Sequence, residues 1–267
     1  MKHKIILSKM TTEYGKPVRY QLQQLALSEY IGQKISLRYL NKINCVQCGR
    51  VTQQSFQQGH CYPCMQRLQE CNMCLLHPER CLVETGSCPE NDWAHAQCHA
   101  PQIIYLANSS GLKVGVTRDK NVPSRWIDQG AIQALPIISA NNRYQAGLIE
   151  VAFKSFVADK TNWRAMLKNE VSLLDLCHER DILMEQASSA LAEIMQRYSG
   201  QIARLDEKPL EIFYPVAQYP QKICSLSLDK TAEVSGILQG IKGQYIILDT
   251  GVMNIRKFGG YNVELEI

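Results

Sequence analysis

The sequence predicts an α+β protein, on three observations. Strand-like segments punctuated by glycine stand at both chain ends. A strand–strand–helix–helix run fills the middle. Between the first end and that run lies a stretch, residues 45–101, with too little Leu, Ile and Val to fold around an apolar core. The chain has 267 residues, 45% of them hydrophobic and 20% charged, which excludes a collagen-like or wholly disordered protein and allows one large domain or several small ones. The expected organisation is an N-terminal β segment (1–44), a zinc-binding Cys-rich region (45–101), an α/β core with trailing helices (102–200) and a C-terminal β segment (201–267). The two β segments are expected to pair into one barrel-like domain.

Each element has its own warrant. Ile5-Ile6-Leu7, Val18 to Leu22 and Lys34 to Leu40 read as strands, separated by Gly15-Lys16-Pro17 and Gly32, and the last alternates apolar and polar residues. Ile103 to Ala107 and Lys113 to Thr117 form a hairpin about Asn108-Ser109-Ser110-Gly111. Pro123 opens a helix through Arg125, Trp126 and Ile127, stopped by Gly130. Tyr144 to Phe156 is a second helix, with Leu148, Val151 and Phe156 for its buried face, and Trp163 to Tyr198 reads as two more. Six strands close the chain: Ile212 to Val216, Ile223 to Leu228, Val234 to Leu238, Tyr245 to Leu248, Val252 to Ile255 and Tyr261 to Ile267.

Nine of the eleven cysteines lie between Cys45 and Cys98. Cys45-x-x-Cys48-Gly and Cys61-x-x-Cys64 present two pairs of thiolates on tight turns, the ligand set of a tetrahedral structural Zn2+. A disulfide pair is the alternative, but the chain start offers no secretory core to support it. A second Zn2+ is expected from Cys71, Cys74, Cys88 and Cys98, with Cys81 or His77 as alternative ligands. Cys177 and Cys224 are isolated and expected to be small buried hydrophobes. No run approaches the roughly 18 apolar residues of a membrane span, so no membrane partner and a cytoplasmic location are expected.

The net charge of +4 hides an asymmetry: residues 1–50 carry nine Lys/Arg against two acidic residues, leaving −3 for the rest. Such a basic end fits DNA or RNA, or a solvated face of a β domain.

The hairpin Ile103-Ile104-Tyr105 and Lys113-Val114-Gly115, followed by Arg125, Glu150 and Asn162, resembles the core of the GIY-YIG nucleases over about sixty residues. The resemblance implies that Tyr105, Arg125, Glu150, Lys113 and Asn162 are the catalytic positions, with Glu150 holding Mg2+ or Mn2+. Ile103 stands where that family has its first glycine, and Lys113 where it has its second tyrosine. A lysine does not replace a phenol near neutrality, although it grips a phosphate. Lys113, Thr117, Arg118, Arg125 and Arg143 together make a basic surface suited to a phosphate backbone. Each has an ordinary reading too: Arg125 as a surface arginine or cation–π partner of Trp126, Glu150 as a solvated helix residue, Thr161 or Asn162 as a helix N-cap, Trp163 as core.

The chain as a whole is similar to a largely bacterial, uncharacterised family of unknown function. Gly59-His60-Cys61-Tyr62-Pro63-Cys64, Gly111 to Arg118, Arg125 to Ala131, Asp159 to Arg164 and Gly240 to Tyr245 carry that similarity. The function expected is therefore a zinc-containing nucleic-acid-binding protein whose core, as a metal-dependent endonuclease, cleaves phosphodiesters. The alternatives are a non-catalytic DNA- or RNA-binding module with a degenerate core, or a protein-interaction scaffold.

Overall fold

The computed structural model describes residues 1–88, 91–158 and 160–267. In chain order, β1 (Lys2–Ile6), β2 (Thr11–Glu13), β3 (Arg19–Gln21), β4 (Lys34–Asn44) and β5 (Val51–Thr52) precede the short helices α1 (Tyr62–Arg67) and α2 (Asp92–Ala94). The middle of the chain runs β6 (Gln102–Asn108), β7 (Leu112–Arg118), α3 (Ser124–Asp128), β8 (Gln133–Ala140) and α4 (Arg143–Lys154). Then come α5 (Trp163–Lys168), α6 (Leu176–Gln186), α7 (Ser188–Arg197), β9 (Ile202–Arg204), β10 (Leu210–Glu211), β11 (Glu233–Lys242), β12 (Tyr245–Leu248), β13 (Gly251–Asn254) and β14 (Tyr261–Glu266). The class is α+β.

The two chain ends share a sheet of order β1-β14-β4-β11-β12-β13, with β5 also on β4. First and last strands are antiparallel neighbours, Lys2 opposite Glu266 and Ile6 opposite Asn262. The sheet is open, with β1 and β13 at the two ends of its order, so the expected barrel-like closure is not present among the described residues. A second sheet, β10-β8-β6-β7 with β9 on β8, lies in the middle. Every residue of β6 is buried, and its alternation divides the interior. Ile103, Tyr105 and Ala107 join a core with Leu7, Met10, Leu238 and Phe258 of the terminal region. Ile104 and Leu106 face the other way, into a core with Ile149, Phe153, Leu183 and Leu191. The central sheet is thus sandwiched between the terminal strands and the helices, and each fully buried Ile or Leu there contributes about 1.5–3 kcal/mol.

Several elements differ from the sequence expectation. The central strand β8 went unpredicted because Pro136 interrupts it; a register shift opposite Ile104 and Tyr105 accommodates the proline, whose missing N–H a regular ladder would need. Ile212 to Val216 and Ile223 to Leu228 are not strands but extended chain with single bridges from Val216 to Gly240 and from Ser225 to Val252. Cys224, in that irregular run, is exposed, not buried. Residues 163–198 form three helices where two were expected. In α4 the buried face is Ala146, Ile149, Glu150 and Phe153, the i, i+3, i+4, i+7 stripe, while Val151 and Phe156 are exposed.

Candidate functional site

The first cysteine centre is built by local chain geometry. After β4, Cys45 and Cys48 occupy a turn closed by the Gly49 amide donating to the Cys45 carbonyl at 2.9 Å, and Gly49 sits at φ +71°, where a side chain would be strained. Cys61 caps α1, placing Cys64 in its first turn, with Pro63 supplying helical φ there. The four sulfurs lie within 4.8 Å of one another. Burial works against the Cys45 thiolate, but N–H groups of Cys48, Cys61 and Gln47 bring its thiol down to about 6. Burial and its three neighbours push Cys64 up to about 12. Four cysteine sulfurs this close together match the ligand set of a tetrahedral divalent ion. The donor set therefore fits a metal such as Zn2+.

Of the thiols assigned to a second centre, Cys71 lies elsewhere. Its Sγ is 3.7 Å from His60 Nδ1, and His60 Nε2 pairs with Glu70 Oε1 at 2.9 Å. His77 pairs with Glu79 at 3.3 Å.

A cleft of about 500 Å³ opens where the Cys-rich region, the central hairpin and the terminal sheet meet. Tyr105, Thr117, Arg118, Arg125, Arg143 and Glu150 all line it. Tyr105 lies on β6 opposite Gly115 of β7, and a Cβ at Gly115 would come within 2.6 Å of the phenol oxygen. The ring is fully buried, and burial raises its pKa despite the Arg125 charge beside it, so it is a neutral phenol near pH 7. Its hydroxyl donates to Gln129 Oε1 at 2.9 Å. Glu150, in the middle of α4, is 7% exposed, and burial raises its pKa against the pull of Lys154. Its Oε2 is 3.4 Å from Lys154 Nζ but accepts no hydrogen bond among the described residues.

Two sequence-derived positions do not reach the cleft. Lys113 is buried behind it, donating to the same Gln129 oxygen at 2.8 Å and to Thr161 Oγ1 at 2.9 Å. Asn162 is exposed and caps α5, accepting from the amides of Arg164 and Ala165. Arg125 makes no cation–π contact with Trp126, which is buried; among the described residues the cation–π arginines are Arg164, 4.4 Å over Trp163, and Arg197, 5.1 Å over Tyr198. Trp163 itself is half-buried, stacked on Tyr245.

Among the further cleft residues that the sequence reading assigned to no site are five that carry charge or an amide. Lys9 and Arg256 arrive from the terminal region, Asp128 and Gln129 from the end of α3, and Lys154 from one turn beyond Glu150. Only Lys154 carried a local signal, its i, i+4 spacing from Glu150. Asp128 pairs with Lys9 and accepts from Gln244, stitching α3 to the terminal sheet. Arg256 bonds to Gln58 of the Cys-rich region. Burial and the neighbouring Arg125 lower the pKa of Arg256; burial and Arg143 do the same to Arg118. The cleft is therefore a crowded cationic pocket built by three parts of the chain.

An α+β fold with a four-cysteine centre of metal-binding type and a cationic cleft defines the class. The chain belongs to the family described as Protein of unknown function (DUF2797), whose model matches residues 32–263. No curated protein and no solved structure matches it. No helix among the described residues is long and apolar enough to cross a membrane.

Proposed function

We propose that this is a zinc-containing nucleic-acid-binding protein whose central hairpin, α3 and α4 form a GIY-YIG-like phosphodiester-cleaving centre. The observation that carries the reading is the convergence of four arginines, Tyr105 and the buried carboxylate of Glu150, ion-paired with Lys154, on one cleft. The order of supply also supports it: tyrosine from the first hairpin strand, glycine from the second, arginine from the next helix, glutamate from the helix after the third strand.

The residues fit a divalent ion held by one protein carboxylate, since Mg2+ and Mn2+ keep several waters and share phosphate oxygens. Glu150 would hold such an ion, which would supply Lewis-acid stabilisation of the phosphate. The protein's own groups do the rest. Arg125, with Arg118 and Arg143 beside it, neutralises charge growing on the non-bridging oxygens. Tyr105 donates its hydroxyl hydrogen bond to Gln129 Oε1, so its oxygen lone pairs are left to accept from Arg125 and from a water, which it orients as a neutral phenol. Lys113, sharing that Gln129 acceptor, is a positioning residue and not a replacement for a second cleft phenol.

The test is cleavage of single- and double-stranded DNA and RNA with Mg2+ or Mn2+, comparing wild type with Glu150→Gln. Cleavage by wild type that falls at least ~100-fold in the variant is expected. Binding should weaken with salt, with a log–log slope of about −3 for three or four phosphates. Lys154 beside the same Glu150 oxygen favours a second reading, a binding module without catalysis. Salt-dependent binding with no cleavage by either protein selects that reading, and absence of both refutes each.

A further inference from the structure

The lobe between α1 and β6 buries thiols beside small apolar residues, Cys71, Cys81 and Cys98 with Pro78 and Ala94. Its backbone consists of single turns, at Gln69–Cys71, Met73–Leu75, Pro78–Arg80 and Asp92–Ala94, ending in a π-helical turn at His95–His99. Its large apolar side chains turn outward: Met73 is 52% exposed, Leu76 68% and Leu82 49%. Cys81 and Cys98, by contrast, are buried to 2% and 1% exposure. Among the described residues of these turns the buried apolar side chains are small, Pro78 and Ala94, and short turns with so little core are commonly held by a cross-link or a metal.

Four thiols from four separate places in this lobe lie within electrostatic reach of one another, although no three of their sulfurs fall within 4.8 Å. The side chain of Cys98 interacts with those of Cys81 and Cys88. Cys74 lies within electrostatic reach of Cys81 and Cys88. The Cys81 sulfur accepts from the amides of Leu82 and Val83, as the Cys45 sulfur of the first centre accepts from Gln47 and Cys48. Amide-to-sulfur bonds of that kind from the residues just after a cysteine stabilise a thiolate. Arg143 supplies countercharge to Cys74, Cys81 and Cys98, and its guanidinium is fixed by the carbonyls of Cys74 at 3.4 Å and Leu75 at 2.6 Å. Cys71 belongs with His60 and Cys45 instead, and His77 with Glu79.

We propose that Cys74, Cys81, Cys88 and Cys98 form a second tetrathiolate centre for Zn2+, with Cys71 outside it. Its spacing, a cysteine at every seventh residue and then a ten-residue step, lacks paired CxxC turns and so hides in the sequence. Four thiolates around a divalent ion carry two net negative charges, which Arg143 and Arg118 partly balance. This quartet is wider than the first, the one whose sulfurs all fall within 4.8 Å among the described residues, and metal binding draws it together.

The test uses the full chain and no nucleic acid, so its outcome is independent of the cleavage reading. Zinc-loaded wild type should hold about two metals per chain by elemental analysis, Cys71→Ser about two, and Cys81→Ser/Cys98→Ser about one. Cobalt titration of the same proteins should show thiolate-to-cobalt charge transfer halved in the double variant. One metal in wild type overturns the proposal, as does loss of a metal on Cys71→Ser. In case the double variant misfolds, alkylation of zinc-loaded wild type followed by peptide mass spectrometry decides. Cys74, Cys81, Cys88 and Cys98 should be protected and exposed Cys224 modified at once. Equal labelling of Cys224 and any of the four overturns the proposal.

Discussion

Replacing Gly115 by alanine should displace the tyrosine of the cleft. Gly115 lies in β7 opposite Tyr105, and no positive φ demands glycine there, so the requirement is spatial. An added Cβ meets the phenol oxygen at 2.6 Å and Cζ at 2.8 Å, both closer than a real Cβ approaches. The ring cannot yield cheaply, because it is fully buried, tilted against Trp126 at 5.7 Å and bonded to Gln129. Overpacking of this kind costs about 1–3 kcal/mol, and alanine recovers about 0.5–1 kcal/mol by restricting the unfolded chain. The expected net loss is therefore about 1–2 kcal/mol, read by urea denaturation through Trp126 fluorescence. Tyr105→Phe alone should cost about 1 kcal/mol for the lost hydrogen bond. It removes the nearest clashing atom, so the double variant should be less destabilised than the two single costs summed, a coupling of at least ~0.5 kcal/mol. Strict additivity, or a Gly115→Ala protein as stable as wild type, would refute the claim that this glycine exists to seat the phenol.

Three further outcomes follow from other positions. Gly147→Ala gains about 1 kcal/mol of helix propensity in isolation, yet its Cβ would fall 2.3 Å from backbone atoms of Pro78 and Glu79. It should therefore prise the Cys-rich lobe from α4, seen as faster limited proteolysis within residues 68–101; an unchanged rate would contradict the contact. Lys242 is fully buried, bonded to Asn169, and burial lowers its ammonium from 10.5 to about 8. Because the folded pKa lies below the unfolded one, the native chain sheds that proton first. Wild-type stability relative to Lys242→Met should be flat below pH 8, then rise by about 3 kcal/mol up to pH 10.5, and parallel urea profiles would remove the argument. Zinc chelation at neutral pH should disorder the lobe around Trp93 while both sheets persist, so a variant keeping Trp93 as its one tryptophan shifts its emission and a variant keeping Trp126 alone does not.

What could be read from the sequence was what local spacing encodes. Cys45-x-x-Cys48-Gly predicts a knuckle turn, and the turn is there with Gly49 at positive φ, bringing four sulfurs together with Cys61 and Cys64. The hairpin at Asn108 to Gly111 followed from alternation and turn residues, and its register pairs Tyr105 with Gly115. Depth and distant supply could not be read. Alternation puts Lys113 on the same face as Gly115 but does not tell that its end is covered by Gln129 and Thr161. Asn162 looked chemical because of its place after Glu150, whereas its side chain satisfies helix amides. Lys9 and Arg256 reach the cleft from opposite ends of the chain, and no periodic pattern connects residues so far apart. Cys71 was grouped with Cys74 by adjacency, but the turn at Met73–Leu75 sends the two thiols to different neighbours.

The charge arithmetic of the cleft argues that it is arranged for a ligand and not for stability. Six cationic side chains line it against two carboxylates, Asp128 and Glu150. Lys9 and Lys154 sit against those two, leaving Arg118, Arg125, Arg143 and Arg256 without a carboxylate partner among the described residues. Three of the four are held by neutral groups, Arg118 by the Ala96 carbonyl, Arg143 by those of Cys74 and Leu75, and Arg256 by Gln58. Such bonds fix direction and leave the full positive charge facing the cleft. Mutual repulsion depresses the pKa of Arg118 and of Arg256, beyond what burial does, so the folded chain carries an unfavourable field that a bound polyanion relieves. The Ala96, Cys74 and Leu75 anchors lie in the lobe between α1 and β6, whereas Gln58 lies before α1, between the two cysteine pairs of the first centre. The lobe is therefore a wall of the cleft, and on the two-zinc proposal losing its metal would release the fixed orientation of Arg118 and Arg143 before either sheet unfolds.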